Sequence, residues 1–201
     1  MIENLNTQNL APFLDELDVV FNDMDKEFED AAKYYGFSCA GCDDNCCKSL
    51  FYHYTAAEYL FLARGMDGLS DGERTSAFER ADAYASAMAG APNGGNSPQR
   101  IICPLNVFGG CILYGFRPMI CRLFGLPHEF TRPAGGRVSG PGCDRFLEVC
   151  KEKEYRRFDR TPYYARLAGL EKSLRNATGI NGKIKMTVAD MLVYMEAGVK
   201  T

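Results

Sequence analysis

Nine of the 201 residues are cysteine, and four of them, Cys39, Cys42, Cys46 and Cys47, fall within one stretch of nine residues. Cys103, Cys111, Cys121, Cys143 and Cys150 follow. Thiolates are the usual ligands of zinc and of iron–sulfur clusters, most often in fours. Cys39-x-x-Cys42 is a chelating pair, because closing so short a loop costs little entropy, and Cys46 is near enough in sequence to reach the same metal. In extended backbone adjacent side chains point to opposite faces, so Cys46 and Cys47 are expected to address different centres, unless one of them is not a ligand. If all but one of the thiols bind metal, eight make two four-thiolate sites, each with a formal charge of about −2 for Zn²⁺ or an oxidised four-iron cluster. One or two centres are therefore expected. An odd number of thiols, in a chain long enough to hold a core without staples, puts a disulfide framework behind both metals.

The later thiols, from Cys103 on, lie in a segment that carries the opposite charge. Residues 1–99 hold 6 basic and 17 acidic side chains, residues 100–160 hold 11 and 6, and residues 161–201 hold 6 and 3. Arg117 and Arg122 stand closest in sequence to Cys121 and are expected to donate hydrogen bonds to cluster sulfur and tune it. Pro118 suits the first turn of a short helix whose dipole favours a thiolate at Cys121. His53 lies near enough to the cluster to replace a thiolate, but an aromatic-flanked histidine more often packs, as Tyr52, Tyr54, Tyr59 and Phe61 do. His128 is a weaker candidate, and Asp43 and Asp44 read as turn residues. Cys150 reads as core. No nucleotide-binding loop, catalytic triad or HExxH pair is present.

Cys39, Cys42, Cys46 and Cys47, then Cys103-Pro104-Leu105, Gly110-Cys111-Ile112-x-Tyr114, Arg117-Pro118-x-x-Cys121-Arg122-x-Phe124 and Cys143 together resemble the YkgJ-like cysteine-cluster family. That family is described as a zinc- or iron-chelating domain, and its CxxCxxCC signature has two residues where this chain has Asp43-Asp44-Asn45. The resemblance spans roughly residues 39–143 and implies that Cys39, Cys42, Cys46, Cys47, Cys103, Cys111, Cys121 and Cys143 are metal ligands. Flagellin lysine N-methylases are more distant relatives with a similar cluster, so protein lysine methyl transfer is an alternative.

These thiols need a scaffold, and the pattern of apolar residues predicts a mainly α fold with a small β-hairpin element. Leu10, Phe13, Leu14, Leu17, Phe21, Met24, Phe28, Ala31 and Tyr35 recur at helical spacing, with Gly36 as the stop. Thr55 with Glu58 and Ser70 with Glu73 predict helices near 56–64, stopped by Gly65, and 71–89. The segments flanking Phe108-Gly109-Gly110 read as a hairpin, and 126–142 as a loop or irregular hairpin. Helices are expected from Asp144 to about Arg157, from Thr161-Pro162 to Ala177, and from Thr187 to Ala197. With no linker or repeat, residues 1–201 read as one domain around a cysteine-rich metal centre, the core at about 39–143 and the terminal helices packed on it. No apolar segment is long enough to span a bilayer and no secretory signal opens the chain, so the expectation is a cytoplasmic protein with no membrane and no nucleic-acid partner.

The functional expectation is a cysteine-cluster protein holding iron–sulfur or zinc. Iron–sulfur comes first because the apolar "IICPL" and "ICRLF" flanks would keep water from a redox centre. Electron transfer follows under iron, a structural clamp and adaptor role under zinc. The acidic face of the first helix is a candidate dock for a protein partner.

Overall fold

The computed structural model describes residues 10–39, 42, 46–90 and 100–199. Seven α-helices and two two-stranded antiparallel sheets form among them, so the fold is mainly helical with small β elements. No described helix is long and apolar enough to cross a membrane. Contacts group the chain into two compact units, each assembled from separate stretches of sequence. Because the chain leaves and re-enters each unit, no boundary falls in a linker that composition would reveal.

One unit comprises residues 1–5, 45–118 and 180–201. Its helices are α2 (Ala56–Asp67), α3 (Asp71–Ala89) and α7 (Val188–Val199), and its sheet pairs β1 (Asn106–Val107) with β2 (Gly110–Cys111). Thr55 caps α2 by accepting the Glu58 N–H, and Ser70 and Glu73 form a complete capping box on α3. Thr187 and Asp190 cap α7 in the same reciprocal way. Gly65 does not end α2 as expected, since the helix continues to Asp67. A Cβ there would lie 2.6 Å from the Phe116 ring, so this glycine admits the 3₁₀ turn Tyr114–Phe116 against the helix. Tyr59 and Phe61 are buried, whereas Tyr52 and Tyr54 are exposed.

The other unit comprises residues 6–44 and 119–179. Its long helix α1 (Ala11–Tyr35) buries Leu14, Leu17, Val20, Phe21, Met24, Ala31 and Tyr35, and ends at Gly36 with φ 64°. Against it pack α4 (Met119–Leu123) and α6 (Thr161–Thr178). Strands β3 (His128–Thr131) and β4 (Arg137–Gly140) pair in register across a turn holding Gly135 and Gly136 at positive φ, so residues 126–142 include a regular hairpin. Helix α5 (Asp144–Cys150) stops well short of Arg157. Tertiary hydrogen bonds take over the following backbone: Tyr35 receives the Arg156 N–H at 2.7 Å, and Phe158 and Arg160 exchange bonds with Glu129 beside β3. The buried Arg160 guanidinium donates to the Leu123 carbonyl at the end of α4, a terminal acceptor that the helix itself leaves open.

Candidate metal centre

The cysteines divide four and five between the units. Cys46, Cys47, Cys103 and Cys111 belong to the first, and Cys39, Cys42, Cys121 and Cys143 to the second, with Cys150 also in the second. No disulfide links any of the nine, all of which are described. Cys39 is exposed, Cys150 is buried, and the other seven are half-buried.

In the first unit local backbone draws the thiols together. Cys46 and Cys47 lie on a single 3₁₀ turn, Cys46–Lys48, and not on an extended strand. The expectation that they face opposite ways fails for that reason: their side chains hydrogen-bond to each other. The Cys103 N–H donates to the Cys47 carbonyl at 2.8 Å, tying the later segment to that turn. Cys103-Pro104-Leu105-Asn106 then bends so that the Asn106 N–H reaches the Cys103 carbonyl at 2.9 Å. Asn106 opens β1 and sits directly opposite Cys111 on β2.

The electrostatics of these sulfurs are unequal. Cys47 is lowered to about 6 by its bond with Cys46 and by Asn106 and Arg117, against the cost of its burial. Cys103 is pushed up to about 12, first by burial and further by the neighbouring Cys47 and Cys111, while the Leu105 and Asn106 N–H groups oppose the rise.

The two arginines expected to serve the sulfurs have different tasks. Arg117 lies over the Tyr114 ring at 3.5 Å, donates to the Tyr114 carbonyl at 2.8 Å, and stabilises the Cys47 thiolate. Arg122 is buried in the second unit, where it pairs with Asp25 of α1 and lies over the Phe21 ring.

The second unit's thiols are held around an aromatic junction. Phe37, two residues before Cys39, stacks on Phe146 with ring centroids 5.4 Å apart. Gly125, four residues after Cys121, faces the Phe37 ring and accepts the Cys143 N–H at 3.0 Å. Cys143 is the N-cap of α5, its Sγ accepting the Phe146 N–H at 3.4 Å. The Cys42 N–H donates to the Cys39 carbonyl at 3.3 Å. Cys121 sits inside the five-residue α4, immediately after the start that Pro118 marks. Cys150 packs in the core, its thiol 3.6 Å from the Tyr35 carbonyl.

His53 is buried and bridges to Met186 through backbone, with Nδ1 3.8 Å from Glu58. His128 packs on Gly140, near Arg160. Asp43 and Asp44 lie outside the described residues. Among the described residues no three His, Cys, Asp or Glu side chains already stand in a metal-holding arrangement. The water-excluding flanks are mixed: Leu105 and Leu123 are buried, but Ile102 is 45% exposed.

Sequence reasoning missed Asn106. Its Nδ2 is buried without a well-formed hydrogen bond, and its side chain helps lower Cys47. The signal available was its place three residues after Cys103, in a turn sequence rather than in any ligand motif. No family model matches this chain, and no curated protein or solved structure matches it.

Proposed function

We propose that this is a metal–thiolate protein with two four-cysteine centres, Cys46, Cys47, Cys103 and Cys111 in one unit and Cys39, Cys42, Cys121 and Cys143 in the other. The observation that carries the reading is the first set: three separated segments are joined by backbone hydrogen bonds that collect four cysteines around Asn106. That donor set suits a soft cation, since thiolates are its preferred ligands and Arg117 and Asn106 offset the remaining negative charge. The resemblance to the YkgJ-like family points the same way, as does the density of thiols, which fits a reducing cytoplasm.

Of the two metals we place iron–sulfur first. An iron–sulfur cluster supplies reversible one-electron transfer. What the chain contributes is specific: the neighbouring Leu105 and Leu113 are buried, and N–H groups of Leu105 and Asn106 stabilise charge on the Cys103 sulfur. Zinc is the second reading, favoured by the exposure of Ile102 at the same site, which leaves a redox centre less shielded. Under zinc the metal is a clamp for the loops and the surface carries the function.

The deciding measurement is metal and acid-labile sulfide on protein purified without oxygen, with its visible spectrum. Equal iron and sulfide with a brown chromophore and a reversible redox wave establish the electron-transfer reading. Colourless protein with about two zinc ions per chain establishes the clamp. Protein that holds neither metal, and takes up none when supplied, overturns both.

A further inference from the structure

We infer that Asn106 is a positioning residue for the first centre: its Nδ2 donates a hydrogen bond to a metal-bound sulfur of that set, and through that bond it holds and tunes the metal. The inference rests on the metal reading above and names a residue which that reading does not need as a ligand.

The orientation of the amide is fixed by its other end. Gly109 donates its backbone N–H to the side-chain oxygen of Asn106 at 3.2 Å. A donor can face only the oxygen, so the nitrogen must point the other way, without the usual ambiguity of an amide flip. Asn106 is 7% exposed, and its Nδ2 is buried without a well-formed hydrogen bond, although it stands near enough to Cys47 to help lower that thiol. A buried amide donor left without an acceptor is costly, so in a native protein it calls for a physical reason, such as a bound ion or a role in a site.

The surroundings say what that partner is. Asn106 is bonded through its backbone to Cys103, sits opposite Cys111 in the hairpin, and influences Cys47 through its side chain. A thiol sulfur is a poor acceptor. Coordination to a cation keeps the sulfur as a thiolate, which is a far better one, so the orphaned donor finds its acceptor when the centre is loaded. Backbone alone would explain the Gly109 bond, which closes the hairpin turn, but not the buried nitrogen.

The two ends of the amide allow a clean test. Asn106→Asp keeps the oxygen that receives the Gly109 N–H and replaces the donor with a second acceptor. Asn106→Ala removes both. Each full-length variant and the wild type are stripped of metal, reloaded with Co²⁺ as probe, and compared by sulfur-to-cobalt absorption and competition for the metal. Asn106→Asp is expected to bind Co²⁺ about 10- to 100-fold more weakly and to shift the charge-transfer bands, with Asn106→Ala no worse. If the native metal is iron–sulfur, the same variant shifts the one-electron equilibrium by about tenfold, or about 59 mV, toward the oxidised state. Should Asn106→Asp fail to fold, Asn106→Ala with an intact helical signal carries the same comparison. Wild-type affinity and bands in the variant overturn the role of Asn106 and leave the metal reading standing. No uptake of Co²⁺ by the wild type overturns the metal reading, and the role of Asn106 with it.

Discussion

The two sets of four cysteines are built by opposite means. In the first unit the thiols are gathered by short, irregular backbone: a 3₁₀ turn, a proline-containing bend and a hairpin of two-residue strands. In the second unit Cys143 caps α5 and Cys121 lies inside α4, regular structure that would stand without them, while Cys39 and Cys42 follow the end of α1 outside any helix or strand. Irregular backbone has few packing contacts of its own and depends on cross-links to stay in place. If the two sets hold metal as proposed, the first set and the Cys121–Cys143 part of the second should differ, the first depending structurally on its metal and α4 and α5 standing without theirs.

Cysteine replacements test this contrast most strongly. Cys103→Ser is expected to lose the metal of the first set, about half the total, and to loosen the segment around residues 103–111, read as faster amide exchange there. Cys143→Ser is expected to lose the other half while α5 persists, because serine is itself a good N-cap and keeps an acceptor for the Phe146 N–H. Cys150→Ser should leave the metal content unchanged. If Cys143→Ser melts α5 as readily as Cys103→Ser loosens the hairpin, the contrast is wrong.

A second pair of replacements separates the arginines. Arg122→Met breaks a pair in which the arginine side chain is 1% exposed but its partner Asp25 is 28% exposed, so the stranded carboxylate can still reach water. A loss of about 2–3 kcal/mol, below the range for a fully buried pair, is expected from denaturant unfolding, with metal content retained. Arg117→Met should do the reverse. Its stability change stays within about 0.5 kcal/mol, as for a surface residue, while metal affinity falls about tenfold.

The difference between these arginines also marks what was legible in the sequence. Both flank a cysteine motif, and nothing in their spacing distinguishes one that faces sulfur from one that faces Asp25, which lies 97 residues away. Local signals are the legible ones: Gly36 as the stop of α1, the capping box at Ser70 and the hairpin around Phe108-Gly109-Gly110 all rest on interactions within a few residues, although Gly110 joins strand β2 and leaves a turn of two. The misreadings came where distant contacts overrode local preference. Gly65 resembles a helix stop but makes room for Phe116, and α5 ends early because residues 156–160 bond to Tyr35 and Glu129. The extended-backbone argument for Cys46 and Cys47 failed on local conformation, since the loop is a 3₁₀ turn. The candidate thiols themselves were all visible as residue types, but their grouping needed the fold.

Alkaline pH sharpens the comparison with a smaller effect. Tyr59, between α2 and α7 in the first unit, is raised to about 12 by burial and by Tyr194. Tyr163 in the second unit is also raised, by burial and then by Glu27 and Asp23. A phenol whose folded value exceeds its unfolded value of about 10 stabilises the fold fully below that pH and loses the contribution as pH rises toward the folded value. The first unit should thus weaken between about pH 10 and about pH 12, read as unfolding that coincides with phenolate absorbance. Tyr59→Phe should remove its part of the dependence that tracks phenolate absorbance, with Cys103, raised to about 12 in the same unit, and Tyr84, also raised, carrying the rest. Tyr163→Phe should act only on the second unit.

The smallest expected effect lies in the hairpin turns. The second unit turns its hairpin on Gly135 and Gly136, both at φ 89°, where glycine is at ease. The first unit uses Phe108 at φ 51° followed by Gly109 at φ 86°, and the Phe108 side chain stands fully in water. Positive φ at both central positions is the type I′ pattern, which favours Asn-Gly and disfavours a bulky residue in the first place. Phe108→Asn should therefore stabilise the first unit by about 0.5 kcal/mol in denaturant unfolding, and the Gly109 bond to Asn106 should survive it. Metal affinity should not change, because the substituted side chain points away from the four sulfurs while the clamp on Asn106 is backbone. A gain in stability with unchanged metal binding would mean that the turn only closes the hairpin. A loss of metal would mean that the Phe108 conformation itself sets the angle at which Asn106 meets Cys47, and the first set would then depend on even its most exposed residue.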